Sequence, residues 1–176
     1  KYYLGANSFF YPTHININKN KENSFFVAFG GDDNTNLVKK LNTLLMNIKI
    51  KKIIFIKKKQ LNYFNKKNLN KKFTKYIVIT DQEKFLKLIS KCSFYISTPS
   101  NIMYECSYFG LSGLVISTHL RQKRQIKYFK KLNFVKSFSN PKILTEKFIT
   151  KNFDFNKKKK KYAEYPKDKI LSKKYD

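Results

Sequence analysis

The chain has 176 residues, 41% of them hydrophobic, and a formal net charge of +27 at pH 7. That size and apolar content suit one domain with its own core, and they exclude a chain that is disordered over its whole length. No apolar run approaches the roughly 18 to 20 residues that span a bilayer, and no signal peptide is visible, so we expect a cytoplasmic protein without a transmembrane segment.

The positive charge comes almost entirely from lysine, because Arg121 and Arg124 are the only arginines. Lysine accompanies many Asn, Ile, Phe and Tyr residues, all of which have A/T-rich codons. A biased genome therefore explains the charge without a selected anion-binding surface. Specific nucleic-acid recognition favours arginine, so we expect no specific nucleic-acid partner. A basic module that binds nucleic acid or an anionic surface remains an alternative. Its natural face would carry Lys57, Lys58, Lys59, Lys66, Lys67, Lys71 and Lys72.

The first half of the chain alternates between strand and helix patterns. Residues 1–23 are interpreted as an interdomain linker. Residues 24–30 form an apolar run that predicts a strand, and residues 36–46 carry leucines at helical spacing. A second strand is predicted over 52–56, and a lysine- and asparagine-rich stretch with a weaker helical pattern leads to a third strand over 76–79.

The second half continues the alternation. The acidic Asp81-Gln-Glu83 suits the N-terminus of a helix that contains Phe85 and Ile89. Next come a strand over 93–97 and a helix over 100–109. A strand over 113–117 and a helix over 122–132 complete the predicted elements.

Short apolar runs separated by helices of about ten residues predict an α/β, Rossmann-like domain with a parallel sheet covered on both faces. We place this domain at residues 24–150. Residues 151–176, with five consecutive lysines at 157–161, are interpreted as a basic, partly disordered tail. Ligands of such sheets bind beyond the carboxyl ends of the strands. The loops at those ends are residues 30–36, 80–83, 98–104 and 118–122.

Glycines and a carboxylate occupy the predicted ligand loops. Gly30 and Gly31 follow the first strand and would let the backbone approach a ligand closely, although a plain βα turn explains them equally well. Glu105 lies on the second turn of a helix, where a carboxylate can accept two hydrogen bonds from a ribose diol. A glutamate on the exposed side of a helix is the other interpretation.

The polar residues at two predicted helix starts are further candidates. Ser100 and Asn101 could cap their helix or hold phosphate oxygens, because a helix N-terminus attracts anions. Arg121 and Gln122 could contact a phosphate or a sugar, or could form an ordinary polar helix start. No cofactor is implied by any motif.

The remaining reactive side chains form no recognisable catalytic or metal site. His14 and His119 belong to no metal-binding or triad arrangement. Cys92 and Cys106 are not at ligand spacing and are interpreted as reduced core thiols. We therefore predict no metal.

Taken in order, the motifs resemble a known family. Phe29-Gly-Gly-Asp-Asp-Asn34, Ile96-Ser97 with Pro99-Ser100, Tyr104-Glu105 and the seventeen-position spacing from Glu105 to Gln122 carry the likeness, which covers residues 2–138. This pattern resembles the C-terminal half of the UDP-sugar hydrolases of pseudaminic acid biosynthesis. Those enzymes have the two-domain GT-B fold and are related to the MurG-type N-acetylglucosaminyltransferases.

The resemblance implies a binding site for UDP-sugar. It implies that Gly30 and Gly31 lie near the cleft, that Ser100 and Asn101 lie by the diphosphate, and that Glu105 binds the ribose. Gln122 matches a glutamine that faces the sugar or phosphate. The implied reaction releases UDP from a UDP-diacetamido-trideoxy sugar on the way to a nonulosonic acid of bacterial surface glycans.

The resemblance also implies a partner domain. The family's proposed catalytic histidine belongs to an N-terminal GT-B domain, so we expect this chain to be part of a longer polypeptide, or to need a partner chain, and to be inactive alone. A GT-B glycosyltransferase of surface polysaccharide assembly is the alternative enzyme.

Several positions depart from the family pattern. Asp32 stands where the family often has Ser, Asn34 where Pro is common, and Ser100 where many members have Gly. Ile102 replaces a common Thr, and Arg121 replaces a frequent Asn and would add a positive charge toward a diphosphate.

Overall fold

The computed structural model describes residues 15–16, 20–29, 35–66, 72–78, 80–118, 120–131 and 137–153. The strands are β1 (Glu22–Ala28), β2 (Lys51–Phe55), β3 (Thr74–Ile77), β4 (Cys92–Ser97), β5 (Ser112–Ile116) and β6 (Ser137–Ser139). The helices are α1 (Thr35–Leu45), α2 (Leu61–Lys66), α3 (Gln82–Lys91), α4 (Asn101–Tyr108), α5 (Leu120–Lys131) and α6 (Glu146–Asn152). Within these ranges, no helix has the length and apolar composition needed to cross a membrane.

The strands form one sheet in the order β3-β2-β1-β4-β5-β6, and every neighbouring pair is parallel. This confirms the predicted α/β, Rossmann-like class. The order is that of the Rossmann fold, in which the chain first builds outward on one side of β1 and then, from β4 on, on the other. The two directions of growth meet where β1 pairs with β4.

The sheet is buried on both faces, as the apolar strands predict. One core cluster packs the side chains of α3, α4 and α5 against one face, and it contains Phe26, Tyr95 and Ile126. The other packs α1, α2 and α6 against the opposite face. There, Phe153 contacts Phe25 and Phe94, with ring centroids 5.0 and 5.1 Å away.

The element boundaries differ from the predicted ones mainly at the end of the chain. β6 and α6 were not predicted, and α6 crosses the boundary expected at residue 150. Thr145 caps α6 by accepting a hydrogen bond from the Phe148 N–H at 3.1 Å. A threonine followed by a glutamate is a helix-start signal, and the sequence therefore did contain a sign of this helix.

The side chain of Lys52 is fully buried on β2, although lysine is rarely buried. Its ammonium group donates to the Ile48 carbonyl and lies 5.8 Å from the centroid of the Phe73 ring. Burial lowers the pKa of Lys52 to about 8. These contacts lie at the amino-terminal end of β2, away from the carboxyl edge of the sheet.

A close contact between β4 and β5 requires glycine at position 113. Gly113 pairs with Tyr95 across the two strands, and a Cβ atom at Gly113 would overlap the Tyr95 ring. The ring has no room to retreat, because Tyr95 is fully buried. Gly113 therefore allows a large aromatic residue to fill the core on the α4 side of the sheet.

We expect Gly113→Ala to lower the free energy of unfolding by about 1–3 kcal/mol through overpacking. Urea unfolding, followed by circular dichroism, measures this. Ser112→Ala is the matched control on the same strand. The Ser112 hydroxyl is buried and has no hydrogen-bond partner in the described part of the chain, so its removal should be neutral or stabilising. Equal unfolding midpoints for Gly113→Ala and the wild type would contradict the contact.

Candidate functional site

The pairing of β1 with β4 opens a crevice at the carboxyl edge of the sheet. After β1 the chain enters α1 on one face, and after β4 it enters α4 on the other. The helices that follow these two adjacent strands therefore lie on opposite faces of the sheet. Open α/β sheets bind their ligands at this point.

Glu105 is a buried polar residue on the second turn of α4, the helix that follows β4. It is only 7% exposed, so the interpretation as an exposed surface residue is wrong. Gln82, the first residue of α3, donates from Nε2 to Glu105 Oε1 at 2.9 Å. Among the described residues, none donates a hydrogen bond to the second oxygen, Oε2. The described residues thus hold the carboxylate through one of its two oxygens.

Burial raises the pKa of the Glu105 carboxyl, and the hydrogen bond from Gln82 opposes this rise only in part. A carboxylate loses hydration when it is buried, and one hydrogen bond does not replace that hydration. The site therefore favours a ligand that brings hydrogen-bond donors to the carboxylate.

Among the described residues, none caps the N-terminus of α4 with its side chain. Ser100 occupies the N-cap position, but its hydroxyl donates to the Thr98 carbonyl at 3.2 Å and accepts no hydrogen bond from a helix N–H. The capping role considered for the Ser100 side chain is therefore wrong. The Ser100 carbonyl accepts from Met103 N at 3.0 Å, and Asn101 is exposed at the first helical position. The positive end of α4 lies at the carboxyl edge of the sheet, and no described side chain caps it.

Gln122 stabilises the loop after β5. Its Oε1 accepts hydrogen bonds from the Thr118 N–H at 2.8 Å and from the Thr118 hydroxyl at 3.0 Å. A ligand contact from Gln122 would therefore have to use its amide nitrogen. The sequence offered a ligand contact or a polar helix start for Gln122. The structure adds a third role, the support of the loop at Thr118, which the spacing of the motifs did not reveal.

Other predicted site residues lie outside the described residues. Gly30 and Gly31 belong to this group, as do His14 and His119. Arg121 lies in the first turn of α5, but its side chain is not described. The structure thus places Ser100 at the N-cap of α4, Glu105 on the second turn of that helix, and Gln122 in the first turn of α5.

Gln82 was not singled out from the sequence, although it belongs to a predicted ligand loop. It lies 23 positions from Glu105, and the packing of α3 against α4 makes their contact. Asp81, which caps α3 by accepting from Lys84 N at 3.1 Å, fixes the start of that helix and hence the position of Gln82. The acidic helix start predicted at this point is confirmed.

No family model and no curated protein matches the sequence. Solved structures match by fold. The glycotransferase of kitacinnamycin superposes with a TM-score of 0.60 at 10% identity over 76% of this chain and 34% of that chain. MurG of Acinetobacter baumannii gives 0.59 at 13% identity over 76% of this chain and 42% of that chain. LpCGTa in complex with UDP gives 0.53 at 16% identity over 75% of this chain and 32% of that chain.

The fold is therefore that of the C-terminal Rossmann-like half of the GT-B glycosyltransferases. The chain covers between 32% and 42% of the lengths of these solved structures. The GT-B part of the sequence-based resemblance is confirmed at the level of fold.

The buried carboxylate predicts a pH-dependent stability. A carboxyl group whose pKa is raised on folding favours the folded state when it is protonated and opposes it as the pH rises through the raised value. We expect Glu105→Gln to be more stable than the wild type at pH 7, by up to about 1 kcal/mol. Below pH of about 4, both side chains are neutral and the difference should disappear.

Thermal unfolding between pH 4 and pH 7 measures this difference. Glu146→Gln is the control, because Glu146 lies on α6 on the opposite face of the sheet and is only partly buried. It should not reproduce the gain at neutral pH. A Glu105→Gln variant that is less stable than the wild type at pH 7 would show that the carboxylate makes a stabilising contact within the protein.

Proposed function

We propose that this chain is the UDP-sugar-binding C-terminal half of a GT-B enzyme. The observation that carries the proposal is the Glu105 carboxylate, which is buried on the second turn of α4, held through Oε1 by Gln82, and without a donor to Oε2 among the described residues. The GT-B fold supports the proposal, because one solved structure with a similar fold, LpCGTa, is a complex with UDP.

A ribose diol fits the chemistry of this carboxylate. The two hydroxyl groups are adjacent donors, and hydrogen bonds to a charged acceptor are about twice as strong as neutral ones. They would replace the hydration that Glu105 loses on burial. Gln82 fixes Oε1 in place, so that the ligand binds an oriented carboxylate.

The diphosphate is assigned to the N-terminus of α4. The amides at this end have no side-chain acceptor from Ser100, and the helix dipole favours negative charge there. Asn101, which is exposed, adds a side-chain donor. In this proposal Gly30 and Gly31 lie close to the nucleotide.

Arg121 and Gln122 complete the proposed site as contacts to phosphate or sugar. Both are in the first turn of α5, which begins at the same carboxyl edge as α4. No metal or organic cofactor is required, because the helix N-terminus and the side-chain donors supply the interactions with the diphosphate.

The reaction proposed is hydrolysis, which releases UDP from a UDP-diacetamido-trideoxy sugar in nonulosonic acid biosynthesis. The order and spacing of motifs from Phe29 to Gln122 support it. Glycosyl transfer is the second candidate, supported by solved neighbours that are glycosyltransferases. Both reactions use the same UDP site and differ in the N-terminal half, which supplies a water-activating base or an acceptor cleft. Release of UDP by the complete enzyme without an acceptor would identify hydrolysis.

We expect this chain to bind UDP more tightly than ADP and to release no UDP from UDP-sugars on its own. Loss of hydrogen bonds to a charged group costs about 1.5–3 kcal/mol, so Glu105→Ala should weaken UDP binding roughly tenfold to a hundredfold. Isothermal titration calorimetry measures the affinities.

Two further variants make the titration specific. Gln82→Ala should weaken UDP binding less than Glu105→Ala does. It removes the hydrogen bond that orients the Glu105 carboxylate but leaves the carboxylate itself in place. Glu146→Ala removes a carboxylate from the opposite face and should leave the affinity unchanged. Equal UDP affinity of the wild type and Glu105→Ala would overturn the ribose assignment, and equal affinity for UDP and ADP would overturn the selectivity for uridine.

A further inference from the structure

α5 has a different charge pattern from the other helices. Its twelve residues, Leu-Arg-Gln-Lys-Arg-Gln-Ile-Lys-Tyr-Phe-Lys-Lys, contain six cations and no acidic residue. Both arginines of the chain, Arg121 and Arg124, belong to it. A/T-rich codons explain lysine throughout the chain, but they do not explain why both arginines lie on one helix.

The described cations of α5 form a stripe along one helical face. Lys123, Arg124 and Lys127 are exposed and follow Leu120 at positions i+3, i+4 and i+7. Ile126 is buried and anchors a different side of the helix to the core. Within the described ranges, no acidic side chain pairs with this stripe. On β2, in contrast, Lys51 pairs with Glu22 at 2.6 Å.

The stripe begins with an exposed apolar side chain. Leu120 is 77% exposed, which is more than Tyr63 at 39% or Ile143 at 56%. A leucine beside a row of cations offers a membrane one apolar group that can enter the lipid and several charges that can meet anionic headgroups. Nucleic-acid binding would use the cations and leave the leucine in water.

We propose that the stripe formed by Leu120, Lys123, Arg124 and Lys127 docks the protein onto an anionic lipid membrane. The occupant follows from charge complementarity and from the exposed leucine. Because α5 starts at the carboxyl edge of the sheet, Leu120 would enter the lipid near the crevice. This docking does not depend on UDP binding.

Vesicle co-sedimentation tests the proposal. The full chain is mixed with phosphatidylcholine vesicles that contain about one third phosphatidylglycerol, or none, in about 0.15 M salt. We expect binding to the anionic vesicles only. The double variant Arg124→Glu/Lys127→Glu changes the charge of the stripe by four units and should lower the partition coefficient at least about tenfold.

A charge-matched control lies on the opposite face of the sheet. Lys147 and Lys151 are exposed on α6, and Lys147→Glu/Lys151→Glu makes the same change in net charge. Because α6 is separated from α5 by the sheet, and exposed charges are screened beyond about 10 Å, this variant should lose less than about twofold. Equal losses in the two double variants would overturn the proposal in favour of nonspecific attraction to a cationic protein.

Leu120→Gln distinguishes lipid from other polyanions. The substitution keeps the charge and should weaken vesicle binding by about tenfold, since a buried leucine side chain contributes roughly 1.5 kcal/mol or more. Binding to duplex DNA, measured by fluorescence anisotropy, should not change. Unchanged vesicle binding by Leu120→Gln would overturn the lipid assignment. Circular dichroism checks that each variant is folded.

Discussion

The pairing of β1 with β4 is the constraint on which the candidate site depends. Parallel strands need crossover helices, and the reversal of strand order at this pair sends α1 and α4 to opposite faces of the sheet. A crevice results at the carboxyl edge, with the N-terminus of α4 beside it. The fold therefore supplies a positive helix end before any specialised side chain is considered.

The site has a cost in stability that the rest of the fold has to offset. Glu105 loses hydration on burial, and within the described ranges it regains one hydrogen bond, from Gln82, so its pKa rises. The core compensates through close packing, as in the contact between Tyr95 and Gly113. A carboxylate that is poorly satisfied in the free protein is the kind of group that a ligand with two donors can satisfy.

The sequence predicted the elements that follow simple rules and missed those that depend on distant contacts. Continuous apolar runs identified five strands, and the acidic start of α3 was correctly interpreted as a helix N-terminus. β6 has only three residues, which are too few to show the alternation of apolar and polar side chains that indicates a strand. The bond between Gln82 and Glu105 joins positions 23 residues apart, and the burial of Lys52 follows from packing around β2. Both require the tertiary structure.

Backbone NMR of the isotope-labelled chain, titrated with UDP, tests the assignment of the ligand to this crevice most directly. The proposed site predicts shifts of the amide signals of residues 98–105 and of Gln82, with the largest at the start of α4. Lys52, the second residue of β2, and Gly110, two residues before β5, lie at the opposite edge of the sheet and should not shift. Shifts centred on Lys52 and Gly110, or spread evenly over the exposed lysines, would contradict a nucleotide site at the β1–β4 crevice.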